Sequence, residues 1–450
     1  MIQLKRAPGL FLLILLLWLG TASAQTDAGA TSKAQDGTPD HGVAHSSHSV
    51  KPHSHHHPAS SFLEYLAHHS GSGTSAEPIS TPSSMLMRSM SSWQLMLHGT
   101  VFLTAVQQTG PRGGDKLFST NWVMGMAQRQ LGPGTFSLRA MLSLEPATVT
   151  ERRYPLLLQS GETAFGRAIA DAQHPHDFIM EIAALYDLRV TSSTLLSLYV
   201  APIGDPALGP PAFPHRASAS EDPVAPLGHH LQDSTHIASD VITTGVTYKN
   251  VRIEGSGFHG AEPDEFRWDI DQGKIDSWSG RATVAIGRDW TGQYSYGYLR
   301  SPEALHPLEN IRRMTASISY NRLLESGSWA NTLIWGRNRT GGSRPQTYNS
   351  YLLESTLRFR KENFFWGRLE NVDRTSDLLQ QTPGGEEHFL ARVQAYTLGA
   401  GRGFRLIPDA ETAVGGQIML YGTPASLDPI YGRHPMGFAA FVRVRLGSSR

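Results

Sequence analysis

Beyond Trp93 the chain alternates apolar and polar residues with a period of two. Between Arg313 and Tyr320, the residues Met314, Ala316, Ile318 and Tyr320 fall on one side, and Arg313, Thr315, Ser317 and Ser319 on the other. Leu353, Leu357 and Phe359 oppose Glu354, Thr356, Arg358 and Arg360; Tyr294, Tyr296 and Tyr298 oppose Gln293, Ser295 and Gly297; Val442, Val444 and Leu446 oppose Arg443 and Arg445. Neighbouring side chains of a strand point to opposite faces, so this pattern predicts strands with one apolar and one polar face. About sixteen strands follow, an even number as in bacterial barrels, over 93–106, 117–130, 134–145, 178–190, 194–201, 236–247, 250–259, 278–288, 291–300, 311–322, 327–338, 348–360, 363–374, 388–402, 410–421 and 436–446.

The connections alternate too. Short ones fall at Gly132-Pro133, Ser192-Ser193, Lys249, Asp289-Trp290, Glu325-Ser326 and Lys361-Glu362, and long ones centre on 146–177, 202–235, 260–277, 301–310, 375–387 and 422–435. Every long connection joins an odd strand to an even one, so all share one end. A transmembrane antiparallel β-barrel has that layout, with short periplasmic turns and long external loops. The polar faces suit a wet lumen. Trp93, Trp122, Tyr199, Trp278, Trp290, Tyr320, Trp329, Tyr351, Trp366 and Tyr421 recur near strand ends, as an interfacial girdle would. The polar faces also predict inward arginines at 281, 313, 358, 360, 392, 443 and 445, which either favour anions in an open pore or pair with acids that fill it.

The N-terminal region reads differently. Lys5 and Arg6, the apolar run Phe11 to Leu19 and Ala22-Ser23-Ala24 predict an export signal over 1–24. Residues 25–92 are rich in Ser, Thr, Gly, Pro and His and are expected to be a disordered periplasmic segment, with a short helix possible over Ser61 to His69. The barrel is then 93–450. No later run reaches the ~20 apolar residues of a spanning helix. Lys+Arg and Asp+Glu are both 39, which gives no electrostatic reason to expect nucleic acid as a partner. Cysteine is absent.

The architecture of 93–446 resembles Gram-negative outer-membrane β-barrels of porin-like size. That resemblance implies an outer-membrane location, with lipid and lipopolysaccharide as partners and a homo-oligomer as a further possibility.

Candidate chemistry lies in the histidines. In the tail, His41, His45, His48, His53, His55, His56, His57, His68 and His69 crowd together, followed by Met85, Met87, Met90 and Met96. Imidazole suits copper(II) and zinc, and thioethers suit copper(I). A His-then-Met tail before a barrel is similar to the copper-resistance B family, which implies copper handling. In the loops, His174, His176 and Asp177 precede one strand, and His215, Glu221, Asp222, His229, His230, Asp233 and His236 precede another. Strand parity puts both groups at the long-loop end, where they are expected to converge on Cu or Zn. No organic cofactor is expected. Asp269, Asp271 and Asp276 resemble part of a calcium loop, but an acidic outer loop is the simpler reading.

Three functions follow. The first is binding, sequestration or transport of Cu or Zn. The second is a general porin-like channel with incidental histidines. The third is a rim-active hydrolase, with His176 and Asp177 or Asp233 beside Ser234. No nucleophile elbow or H-E-x-x-H motif supports that third reading.

Overall fold

The computed structural model describes residues 59–67, 71–341, 345–378 and 390–447. The signal segment and the tail histidines His53, His55, His56 and His57 lie outside them. The described strands are β1 (Leu86–Met90), β2 (Trp93–Gln108), β3 (Gly114–Leu131), β4 (Gly134–Leu142), β5 (Tyr154–Ala164), β6 (Arg167–Gln173), β7 (Ile179–Thr191), β8 (Thr194–Gly204), β9 (Ala238–Tyr248), β10 (Val251–His259), β11 (Ser277–Ile286), β12 (Trp290–Leu299), β13 (Ile311–Leu324), β14 (Gly327–Thr340), β15 (Thr347–Phe359), β16 (Asn363–Arg374), β17 (Ala391–Ile407), β18 (Ala410–Gly422) and β19 (Met436–Leu446).

The main sheet has seventeen strands. All but β1 form a closed antiparallel ring of sixteen, running β2-β3-β4-β7 and onward to β19, which pairs back onto β2. β5 and β6 form a separate hairpin inside the long connection between β4 and β7. Closure leaves no unpaired edge, as a lipid-embedded sheet requires. The period-two reading located each ring strand, with ends displaced by a few residues.

The outer face is apolar on every ring strand. Leu103, Val246, Ile253, Leu333, Leu369 and Val442 are each more than 40% exposed there. A water-soluble surface does not carry so continuous an apolar belt, and lipid requires one. Leu398, 71% exposed at the centre of β17, tests this directly. Leu398→Arg is expected to cost about 2–4 kcal/mol of stability in lipid vesicles, the range for a midplane arginine. Unchanged denaturant unfolding in vesicles would place this face outside the hydrocarbon.

The inner face is polar but not open. The connection after β8, residues 205–237, folds into the barrel. Its Ser218 hydroxyl donates to Thr332 Oγ1 (2.8 Å) and its Ser218 carbonyl accepts from Thr356 Oγ1 (2.7 Å). Its Glu221 accepts from Arg443 (2.5 Å), Arg358 (2.8 Å) and Arg445 (3.0 Å). Arg358 and Arg445 are the penultimate residues of β15 and β19, beside the short turns, so the loop reaches almost through the lumen. Arg216 binds Glu354 (2.7 Å) and Asp233 (2.8 Å), and Arg368 binds Glu354 (2.9 Å) and Asp222 (3.0 Å). The inward arginines are therefore neutralised by acids, many of them from this loop.

The segment before Ser92 also departs from expectation. Residues 59–67 and 71–92 are folded against the barrel. A helix, α1 (Phe62–Ala67), buries Phe62, Leu63 and Leu66. The Gly73 carbonyl accepts from Arg139, Thr74 Oγ1 accepts from Arg281, and Ser80 Oγ donates to the Asn321 carbonyl. β1 pairs with β2 below the end of β19. This polar segment is ordered by hydrogen bonds to lumen side chains.

Two further expectations are corrected. Arg360 is exposed in the turn, where Arg360 and Lys361 are both left-handed (φ 51° and 63°). Arg392 points outward beside the Tyr351 ring and pairs with Asp373 (2.5 Å). Its neighbours Val393 and Ala395 face in, because an apolar cluster including Leu156, Leu157 and Leu227 of the inward segments packs there. Of the aromatic girdle, Trp278, Trp290, Trp329 and Tyr351 face out, whereas Tyr199, Trp366 and Tyr421 are buried inside and Trp122 packs with an inward cluster.

Candidate metal centre

The loop histidines converge. His174, His176, Asp177, His229, His230 and His236 line one small recess, partly open to solvent, with Glu162, Glu262, Ser234 and Arg267. Four pieces of chain deliver them: the β5–β6 hairpin brings Glu162, the approach to β7 His174 and His176, a single helical turn (His229–Gln232) His229 and His230, and the loop after β10 Glu262. Arg313 in β13 fixes that turn by donating to the His230 carbonyl (2.7 Å).

The rings form a chain. Centroids of His174 and His230 are 5.7 Å apart, His230 and His229 5.2 Å, His229 and His236 5.2 Å, and His236 and His176 5.4 Å. Four of the rings are oriented by an oxygen at Nδ1. His174 faces the Pro175 carbonyl (2.9 Å), His176 faces Glu145 (3.0 Å), His229 faces Asp233 (2.7 Å) and His236 faces the Asp233 carbonyl (2.8 Å). A proton on each Nδ1 leaves Nε2 as the free lone pair. The Nε2 atoms of His230 and His236 are buried and make no hydrogen bond among the described residues, and His174 Nε2 lies 3.2 Å from Glu162 Oε1. A metal-ligating imidazole is held this way, with one nitrogen tied to an acceptor and the other presented.

The charges point the same way. Burial, with Arg267 and His230 nearby, pushes His174 well below the usual imidazole range; burial and the neighbouring His229 do the same to His230. Burial and His229 bring His236 down to about 3. These rings are neutral at pH 7, the form that binds metal. Burial also acts against a charge on His176, but Glu145 outweighs it and raises that ring. Burial raises Glu162 to about 7 against the pull of Arg267, and burial together with Glu162 raises Glu262 to about 7. Buried carboxyls held near neutrality would ionise readily beside a cation.

One ligand from each of Glu162, His174 and His230 lies within 4.8 Å of the others. His176, His229 and His236 group on the far side, around Phe213. Asp233 does not line the recess; it orients His229 and accepts from Arg216 (2.8 Å). His215 goes elsewhere, to Met141. Glu145, Glu162 and Arg267 were missed by sequence reasoning, because isolated charged residues within long connections carry no periodic signal. Glu262 lay in the acidic stretch without being assigned to the histidines.

The hydrolase arrangement does not form among the described residues. Ser234 Oγ donates to Glu262 (2.8 Å) and accepts from Arg313 (2.7 Å), and His176 Nδ1 faces Glu145. The calcium-like stretch also rearranges. Asp264, Asp269 and Asp271 approach one another, while Asp276 caps Gly260 and Ser277.

Among solved structures, the chain is similar to an anion-selective porin from Comamonas acidovorans (9% identity, TM-score 0.48, covering 79% of this chain and 100% of that one). It is also similar to OmpF of Salmonella typhi in complex with daunomycin (10% identity, TM-score 0.48, 80% and 100%). A third is OpdL of Pseudomonas aeruginosa (11% identity, TM-score 0.39, 78% and 98%). No protein-family model and no curated protein matches the sequence. The chain is placed by its own topology, a closed sixteen-stranded transmembrane β-barrel.

Proposed function

We propose that the protein is a porin-like barrel of a Gram-negative outer membrane that captures a divalent transition-metal ion, zinc(II) or copper(II), at its long-loop mouth. The observation that carries this reading is the approach of one ligand atom each from Glu162, His174 and His230 to within 4.8 Å of one another in a recess lined by further imidazoles. The donor set of imidazole and carboxylate suits these ions. Glu162, His174 and His230 would hold the ion, with Glu262 beside them and Asp233 positioning the adjoining ring.

A second reading is a channel for other solutes, favoured by the closed barrel itself; the inward loop then acts as a constriction. Zinc and copper(II) competition titrations on the full refolded chain separate the two. Against His174→Ala/His230→Ala, the wild type is expected to hold one additional ion with sub-micromolar affinity. Identical titrations for both proteins would confine metal binding to other histidines and leave the channel reading.

A further inference from the structure

The lumen carries one patch that its polar lining does not explain. Met96, Met124, Met126, Met141 and Met180 are buried together, with Met85, Met87 and Trp122 packed against them. Seven of the chain's twelve methionines are in this patch.

Register builds it. Met87 lies opposite Met96, and Met96 opposite Met126, in a row across β1, β2 and β3. Two residues along, His98 lies opposite Met124, and Met124 opposite Met141, in a second row across β2, β3 and β4. Positions two apart share a face, so the rows are stacked on the inner wall. The inward loop covers them with His215. His98 Nε2 lies 3.1 Å from Met124 Sδ, and His215 Nε2 lies 3.2 Å from Met141 Sδ. The two imidazole centroids are 5.9 Å apart, and Trp122 packs against both rings (5.2 and 4.5 Å). His98 is 7% exposed and Met124 fully buried.

Packing alone does not require this composition. Leucine fills an inward apolar patch as well as methionine and specifies one rotamer better. Neutral imidazole and thioether in one dry pocket make a soft donor set. Without a carboxylate oxygen among them, the donors favour a monovalent thiophilic ion over zinc.

We propose that this patch is a binding site for a soft monovalent metal ion, copper(I) or silver(I), held by the sulphurs of Met124 and Met141 and the Nε2 atoms of His98 and His215. The site shares no ligand with the imidazole–carboxylate recess, so the two stand or fall separately. Phe213, which packs on His176 and His229, is two residues from His215. The soft site therefore lies directly behind the mouth.

The test is an anaerobic titration of the full refolded chain with copper(I) buffered by a chromogenic chelator, together with X-ray absorption at the copper edge. Met124→Leu/Met141→Leu conserves volume, and heat-modifiable electrophoretic mobility checks that it refolds. Loss of a ligand's hydrogen-bonding partner alone weakens metal sites by about 10–100-fold, so loss of both sulphurs is expected to weaken copper(I) by at least about 100-fold. Zinc binding is expected to be unchanged in this variant. The wild-type copper edge is expected to show sulphur neighbours. The chain has no cysteine and residues 25–84 hold no methionine, so tail binding produces nitrogen scattering only. Nitrogen-only scattering, or equal copper(I) affinity in wild type and variant, overturns the proposal.

Discussion

Glu221→Ala is expected to release the inward loop and open the barrel. Glu221 is fully buried and faces three guanidiniums, Arg358, Arg443 and Arg445, near the short-turn end. Removing it leaves their charges largely buried, with Glu411 as the one remaining acid partner among the described residues. Breaking a buried pair on one side costs about 3–5 kcal/mol, because the stranded charge keeps its desolvation penalty. Ser218 and Asp222 still tie the loop to Thr332, Thr356 and Arg368, but three ion pairs are lost at once, so single-channel conductance in planar bilayers is expected to rise along with the loss of thermal stability. Glu221→Gln, which keeps the volume, separates charge from packing. Unaltered conductance in both variants would mean that the loop is anchored from the mouth.

The same carboxylate sets a pH dependence. Burial opposes its ionisation, but the three arginines outweigh burial and hold Glu221 far below the usual carboxylate range. A depressed folded-state pKa stabilises above the unfolded value, about 4.3, and that contribution is lost as pH falls toward the folded value. The plug is therefore expected to hold from neutral pH down to pH 5 and to loosen only in stronger acid.

Arg216→Ala is expected to damage both the plug and the mouth. Arg216 is fully buried between Glu354 on the barrel wall and Asp233 beneath the histidines. Its removal strands two carboxylates and is expected to cost about 3–5 kcal/mol. Asp233 then loses Arg216 and keeps the Phe213 amide (3.0 Å) to fix it while it orients His229. His229 adjoins His230 without being one of the proposed ligands, so zinc affinity is expected to fall by less than the about 10–100-fold typical when a ligand loses its own orienting contact. A thermal melt and a zinc titration on the same sample check both effects. Reduced stability with undiminished zinc affinity would show that the ion does not depend on His229. Arg216→Lys is expected to recover part of the stability, since a lysine replaces one of the two ion pairs but not the forked geometry.

Whether a residue's role was legible in the sequence depended on whether a period reported it. The ring strands were legible because lipid on one side and a polar interior on the other force alternation. Glu354 and Arg313 were read as inward for that reason, and both are buried there. The rule failed where the lumen is not wet. Val393 and Ala395 face in because the plug brings an apolar surface to them, and this sends Arg392 out. Tyr199, Trp366 and Tyr421 were assigned to the girdle by type, but they are packed inside, where Tyr199 donates to Glu181 (2.6 Å) and Trp366 to Gln417 (2.8 Å).

For the candidate sites the division is similar. Loop parity placed His174, His176, His229, His230 and His236 at one end of the barrel, and they do meet. Nothing local marked Glu162 or Glu145 as their neighbours. The methionines of the soft patch come from five strands, and the sequence grouped only Met85, Met87 and Met96 of them as thioether donors.

By itself, then, the sequence determined the strands, their faces and the end at which the long loops gather, because those follow from spacing along one chain. Tertiary structure alone decided that the lumen is filled, that its arginines are neutralised by Glu221, Asp222, Asp233 and Glu354, and that ligand atoms of Glu162, His174 and His230 meet from separate pieces of chain. Those properties depend on contacts between residues far apart in sequence, which no local pattern of polarity encodes.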